Sequence, residues 1–274
     1  MVTEFLEVPD GTIAYDDQGS GPLVVCVPSM GDVRAEYRFL APKLVEAGYR
    51  VITMDVRGHG ETSTHWPDYS VAGVGSDVIE LIRSLNAGPA VIVGDSMAGG
   101  AAVWAAAENR ELVSGLILLD PFVRGEKQLL LNALFSMLFS RPWGAAMWVK
   151  YYATLYPTRK PADFPEYCAA LRANLAERDR LEALQQMLVA SKQASEERLG
   201  RVTQPALVLM GAKDPDFKNP EAEAAWVAGK IKATYKMIPE AGHYPQTEMP
   251  EVIAPLIQAF LQEVSETREK SYAA

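Results

Sequence analysis

Three residue types in this chain could together carry nucleophilic catalysis. Ser96 stands in Val91-Ile92-Val93-Gly94-Asp95-Ser96-Met97-Ala98-Gly99-Gly100. A β-branched run leads into the serine, small residues flank it at 94 and 98, and a small-residue helical stretch follows. The pattern predicts a strand that stops, a sharp turn and a helix that starts at once, with the Ser96 hydroxyl at the tip. A serine hydroxyl is a weak nucleophile and needs a positioned base. Of His59, His65 and His243, only His243 sits in a loop between a late strand and the final helix, Pro239-Glu240-Ala241-Gly242-His243-Tyr244-Pro245. A base needs a carboxylate to fix its tautomer. Gly211-Ala212-Lys213-Asp214-Pro215 follows another strand, which makes Asp214 the first choice; Asp120 and Asp216 are the alternatives. The developing oxyanion needs two backbone N–H groups. The expected donors are Met97, just after the serine, and Met30, in Pro28-Ser29-Met30-Gly31-Asp32.

These residues must be brought together by a scaffold. Two strands, 4–8 and 12–16, flank the turn signal Pro9-Asp10-Gly11. Short, near-continuous apolar runs follow at 23–27, 51–54, 91–93 and 116–119, then at 206–210 and 234–238. Such runs fit strands buried on both faces of a parallel sheet. Helical stretches at 34–47, 71–85, 97–109, 220–231 and 250–265 alternate with them. The alternation specifies an α/β fold with a doubly wound, mostly parallel eight-stranded sheet. In such a sheet the strand C-terminal ends share one edge, and Ser96, Asp120, Asp214 and His243 all follow strand ends. The charged or small residues 266–274 are expected to fray.

Between 122 and 201 the alternation stops and only helical signals remain. Leu129, Leu130, Leu134, Phe135, Leu138 and Phe139 recur at helical spacing, as do Trp143, Met147, Trp148, Tyr151 and Tyr152 after Pro142. Further helices are expected at 164–177 and 179–194. The segment is too apolar and periodic for a linker, so it is expected to be an inserted helical cap on a core of 1–121 and 202–274. Ser29, Phe122, Phe135, Trp143 and Trp148 are candidate pocket residues; the aromatic ones could equally serve as the cap's own core.

Composition narrows the function classes. The chain has 274 residues, 49% hydrophobic content and a net charge of −9 with no basic cluster. Nucleic acid and anionic membrane surfaces are poor partners for it. Two distant cysteines, Cys26 and Cys168, suggest no disulfide framework. No apolar run approaches the ~20 residues of a membrane span, and the N-terminus carries no secretory pattern. A cytoplasmic monomer or homodimer is expected.

With these motifs in hand, the chain resembles the α/β-hydrolase fold family over nearly everything except the cap. Its order of Ser96, Asp214 and His243 is similar to the family order of nucleophile, acid and histidine. Asp55-Val56-Arg57-Gly58-His59-Gly60-Glu61-Thr62-Ser63 looks like the family's turn after its fourth strand, which implies a structural role for His59. His65 is expected to be an exposed loop residue. Gly211-Ala212-Lys213-Asp214, and Gly242-His243 with Glu248 and Pro250 downstream, look like its acid and histidine loops. Two departures stand out: Pro28-Ser29 where the family often has His-Gly, and Ala98 where glycine is commoner. Members with an aspartate nucleophile carry it where Ser96 stands, and Asp95 is one residue early. The resemblance therefore disfavours haloalkane dehalogenase and epoxide hydrolase activity. It implies hydrolysis of a carboxylic ester of a small to medium, largely apolar molecule through an acyl-enzyme, with no metal or organic cofactor. The same residues would serve a lactonase of the acyl-homoserine lactone type or a cofactor-free perhydrolase. A carbon–carbon bond hydrolase fits less well, since no arginine or asparagine is placed to grip a dienoate. A non-catalytic binding protein on this fold would be expected to have lost one of the three residues.

Overall fold

The near-continuous apolar runs become strands that are buried on both faces. The computed structural model of the chain describes residues 2–125, 135 and 137–273. In chain order the strands are β1 (Glu4–Val8), β2 (Gly11–Gln18), β3 (Leu23–Val27), β4 (Arg50–Met54), β5 (Ala90–Asp95), β6 (Val113–Leu119), β7 (Ala206–Gly211) and β8 (Thr234–Ile238). They form one eight-stranded sheet in the order β1-β2-β4-β3-β5-β6-β7-β8. β1 and β2 are antiparallel to their neighbours, and all later pairings are parallel.

Every residue of β3, β5 and β7 is buried. Successive side chains alternate between two cores, as the strand repeat of two requires. Val25, Ile92, Leu118 and Val208 join one core; Val24, Val93, Ile117 and Leu209 join the other. The first core is covered by α2 (Val71–Leu85), α3 (Met97–Glu108) and α8 (Pro220–Ile231). The second is covered by α1 (Ala41–Glu46) and α10 (Pro250–Ala273).

Between β6 and β7 lie α4 (Gly144–Tyr152), α5 (Phe164–Ala176), α6 (Arg178–Val189) and α7 (Gln193–Glu196). They enclose a third core in which Phe139, Trp148, Tyr152, Tyr156, Phe164 and Leu184 meet Tyr244 of the main body. The expected positions Leu129, Leu130 and Leu134 lie outside the described residues. α9 (Pro245–Glu248) is a single turn before α10.

Some boundaries differ from expectation. The stretch 34–47 is a 3-10 turn at Arg34–Tyr37 followed by α1. Pro42 lies in the first turn of α1, where its missing N–H and its ring cost least, so it favours a helix that starts there over one that runs on from residue 34. The expected 179–194 helix ends at Val189, because Ala190 turns to an extended conformation with ψ 134°. The chain then restarts as α7, which the Ser195 hydroxyl anchors by donating to Gly100 O at 2.8 Å. The C-terminal helix does not fray at 266 but continues to Ala273. A Gln262-to-Glu266 side-chain hydrogen bond of 3.0 Å supports that extension.

The turn after β4 is built around a buried ion pair. Arg57 donates to both oxygens of Asp77 from Nε at 2.5 Å and Nη2 at 2.8 Å, and its guanidinium lies over the Trp66 ring. Arg57 and Asp77 are 6% and 3% exposed, so neither charge has water to replace its partner. Truncation of Asp77 to alanine should cost about 3–5 kcal/mol in urea unfolding. A loss below about 1 kcal/mol would show that this pair does not hold the turn.

Candidate active site

β5 ends at Asp95 and α3 begins at Met97, so Ser96 alone makes the reversal. Its φ of +54° and ψ of −120° lie where a serine stays only if surrounding contacts hold it. Three backbone hydrogen bonds do so. Ser96 N–H donates to Leu119 O at 2.9 Å, and Ser96 O accepts from Gly99 N–H at 3.0 Å and Phe122 N–H at 2.9 Å. Glycine at 94 is a steric necessity, since a Cβ there would sit 2.5 Å from Ala98 O. Ala98 is fully buried and fits, so the departure from glycine at that position leaves the turn intact.

His243 and Asp214 meet behind this turn. His243 Nδ1 lies 2.6 Å from Asp214 Oδ2, and Asp214 Oδ1 accepts from Asp216 N–H at 2.9 Å. Both residues are buried. Burial alone would pull the imidazole pKa down. The Asp214 charge and the hydrogen bond to it act in the opposite direction and prevail, raising His243 to about 9. Asp120 stands close by, with one carboxylate oxygen within 4.8 Å of ligand atoms of both Asp214 and His243. Its Oδ1 accepts from Gly211 N–H at 2.9 Å. Burial, then repulsion by Asp214, pushes the Asp120 carboxyl well above the usual range. Of the three candidate acids, Asp214 is the one hydrogen-bonded to the imidazole; Asp120 bonds to Gly211 N–H and Asp216 to the Tyr151 hydroxyl. Among the described residues Asp120, Asp214 and His243 are also the group that could share a cation, but the direct Asp214–His243 bond already occupies two of its members.

The loop after β3 is fixed from several sides. Ser29 N–H donates to Glu36 Oε2 at 2.9 Å, and Ser29 Oγ lies 2.8 Å from the Tyr244 hydroxyl. Gly31 N–H donates to His59 Nε2 at 3.1 Å, and Gly31 O accepts from Trp148 Nε1–H at 2.9 Å. Gly31 has φ +72°, and a Cβ there would collide with the Trp148 ring at 2.2 Å. His59 donates from Nδ1 to Arg57 O at 2.8 Å; burial lowers its pKa to about 4, so it stays neutral and can accept at Nε2. The structural role expected for His59 is thus a specific one. Met30 lies between the two tethered residues, and among the described residues its N–H has no hydrogen-bonding partner. Met97 is the first residue of α3, so its N–H is one of the helix's unpaired donors.

Ser96, His243, Ser29 and Met30 line one cavity of about 1080 Å³. Phe122, Phe135 and Trp148 line it as expected from the sequence. Trp143 does not: it precedes α4 with 52% of its surface exposed, and the helical repeat turns Trp148 inward instead. Asp95 is fully buried at the end of β5 and is not part of the cavity wall. Burial, then the nearby Glu36, Asp120 and Asp214 carboxyls, pushes its pKa well above the usual range. His65 is exposed, as expected. The sequence did not point to Glu36, Tyr244, Lys192 or the Tyr151–Asp216 hydrogen bond. Each depends on contacts across more than fifty residues or on the irregular break after α6, neither of which leaves a local pattern.

Comparison with known proteins agrees with the fold. Residues 22–250 match the family model described as the alpha/beta hydrolase fold. A stretch of 106 residues is 32% identical to the sn-1-specific diacylglycerol lipase ABHD11 of Mus musculus, covering 38% of this chain and 34% of that protein. The chain thus spans about a third of the length of the curated relatives it matches. The fold is similar to that of an esterase from Exiguobacterium antarcticum, with TM-score 0.83, 19% identity, and coverage of 95% of this chain and 100% of that one. It is also similar to that of the enol-lactonase from Burkholderia xenovorans LB400, with TM-score 0.79, 21% identity, and coverage of 94% and 100%. Proteins named as epoxide hydrolases share the fold too. With a family model spanning most of its length and an eight-stranded sheet in matching arrangement, the chain belongs to the α/β-hydrolase fold family.

Proposed function

We propose that this protein is a serine hydrolase that cleaves a carboxylic ester of a small to medium, largely apolar molecule. The observation that carries the proposal is the 2.6 Å Asp214–His243 hydrogen bond in a cavity shared with the strained Ser96. Ser96 Oγ attacks the ester carbonyl while His243 Nε2 takes its proton. The oxyanion forms between the free N–H groups of Met30 and Met97. Collapse breaks the bond to the leaving oxygen, and His243 returns the proton to it, releasing the alcohol. Water then attacks the acyl-Ser96 carbonyl, giving its proton to His243, and the proton returns to Ser96 as the acid leaves. Asp214 holds Nδ1–H and stabilises the imidazolium throughout. None of these steps uses a metal or organic cofactor. The helices between β6 and β7 act as a cap whose Phe135, Phe139 and Trp148 supply apolar wall.

The site also bears on the alternatives. An aspartate nucleophile is disfavoured because Asp95 is buried and outside the cavity. A lactone is a cyclic ester and meets the same groups, so turnover must separate the two. Cys26 and Cys168 are buried free thiols, which suits a reducing, cytoplasmic setting. Among the described residues no helix is long and apolar enough to cross a membrane.

A fluorophosphonate should label the protein, and Ser96→Ala should abolish the label; an unlabelled wild type would rule out an activated serine here. Ester turnover should exceed turnover of matched lactones, and the reverse would promote the lactonase alternative. Asp214→Asn should lower kcat by roughly 10³–10⁴, whereas Asp120→Asn leaves the Asp214–His243 hydrogen bond in place and should cost far less. If Asp120→Asn proves the more damaging change, the acid is misassigned. His243 must be neutral to accept the Ser96 proton, and its pKa is raised from 6.5 to about 9. The kcat/KM profile should therefore rise with pH along a limb centred above pH 6.5. A limb at or below that value would contradict the Asp214–His243 coupling.

A further inference from the structure

The break after Val189 lays residues 188–193 along the cavity wall. Lys192 is among them, and among the described residues its ammonium has neither a counter-ion nor a hydrogen-bond acceptor. Burial pulls its pKa down, and no neighbouring carboxylate restores it. Lys192 is half-buried; a cation partly withdrawn from water without a partner carries a cost, and an arriving anion would relieve it.

The other charges along the cavity do not serve this purpose. Arg124 is bound to Glu223 through Nε at 2.8 and 3.0 Å, so those two cancel. Asp216, whose oxygens lie within 2.7 Å of the Tyr151 hydroxyl, interacts electrostatically with His243, so its charge belongs to the proposed catalytic end of the cavity. Lys218 adds a second positive charge, exposed at the edge. Besides the proposed catalytic groups, the cavity therefore combines an apolar wall of Phe135, Phe139 and Leu188 with uncompensated positive charge at Lys192 and Lys218.

We propose that Lys192 reads a carboxylate at the far end of the substrate's acyl chain, so that the preferred substrates are half-esters of dicarboxylic acids. The apolar wall would accept the methylene chain and Lys192 the terminal charge, leaving the ester carbonyl to Ser96. This inference rests on the serine-hydrolase proposal, but it can fail independently of it.

The test compares p-nitrophenyl half-esters of dicarboxylic acids of six to ten carbons with p-nitrophenyl esters of the matching monocarboxylic acids. Wild type, Lys192→Met and Lys192→Arg are used, each checked for a cooperative melting transition. At one or more chain lengths the wild type should prefer the half-ester by about tenfold in kcat/KM. Lys192→Met should erase that preference, chiefly through KM, and Lys192→Arg should keep most of it. A wild-type ratio at or below one at every length, or a ratio unmoved in Lys192→Met, would overturn the proposal. In parallel, calorimetry with the Ser96→Ala protein should detect the monomethyl half-ester of the preferred acid, and adding Lys192→Met should weaken it about tenfold. If fluorophosphonate labelling fails while this Lys192-dependent binding is seen, the hydrolase mechanism falls and the anion site stands. If labelling succeeds and no Lys192-dependent binding is seen, the anion site falls and the hydrolase mechanism stands.

Discussion

The backbone reversal at Ser96 is the constraint on which the rest of the site depends. One residue with φ +54° joins a fully buried strand to a helix. That geometry exists only because Gly94 has no Cβ to meet Ala98 O, and because Leu119, Gly99 and Phe122 bond to the Ser96 backbone. The reversal sets the hydroxyl on the cavity side and the Asp95 carboxyl on the interior side. It also leaves the Met97 N–H unpaired at the head of α3. The position of the proposed nucleophile and of one proposed oxyanion donor thus follow from a single local fold.

A cluster of carboxyls surrounds the turn from within. Glu36, Asp95 and Asp120 are all fully buried, and burial drives each pKa well above the usual range. Against this background the Asp214 charge and its hydrogen bond raise the pKa of His243. Glu36 has a second task, since it holds Ser29 N–H and receives Gln246 Nε2–H at 3.0 Å. The loop after β3, the turn after β4 and α4 are therefore tied together through Ser29, His59 and Trp148. Damage to any of these should reach the proposed oxyanion donor at Met30 before it reaches Ser96.

Much of this was legible in the sequence because it is local. Strands buried on both faces leave unbroken apolar runs, as at 23–27 and 206–210, and these fell within a residue of the observed bounds. The elbow at Ser96 is written in adjacent residues, and the chain order of Asp214 and His243 marked the ends of β7 and β8. What was not legible is tertiary. Whether Trp143 or Trp148 faces inward depends on the phase of α4 against the sheet. The break that brings Lys192 to the cavity carries no glycine or proline, and Tyr244 reaches Ser29 across more than two hundred residues. Pro42, by contrast, did carry the signal that divides 34–47, and the apolar periodicity concealed it.

The central claim is that Ser96 forms a covalent acyl intermediate with His243 as its base. Its most direct test is mass spectrometry of the protein quenched during turnover of a slowly deacylated ester. We expect one added acyl group, located by fragmentation on Ser96 and absent from Ser96→Ala. Turnover without a Ser96 adduct, or an adduct on Asp95, would contradict the claim.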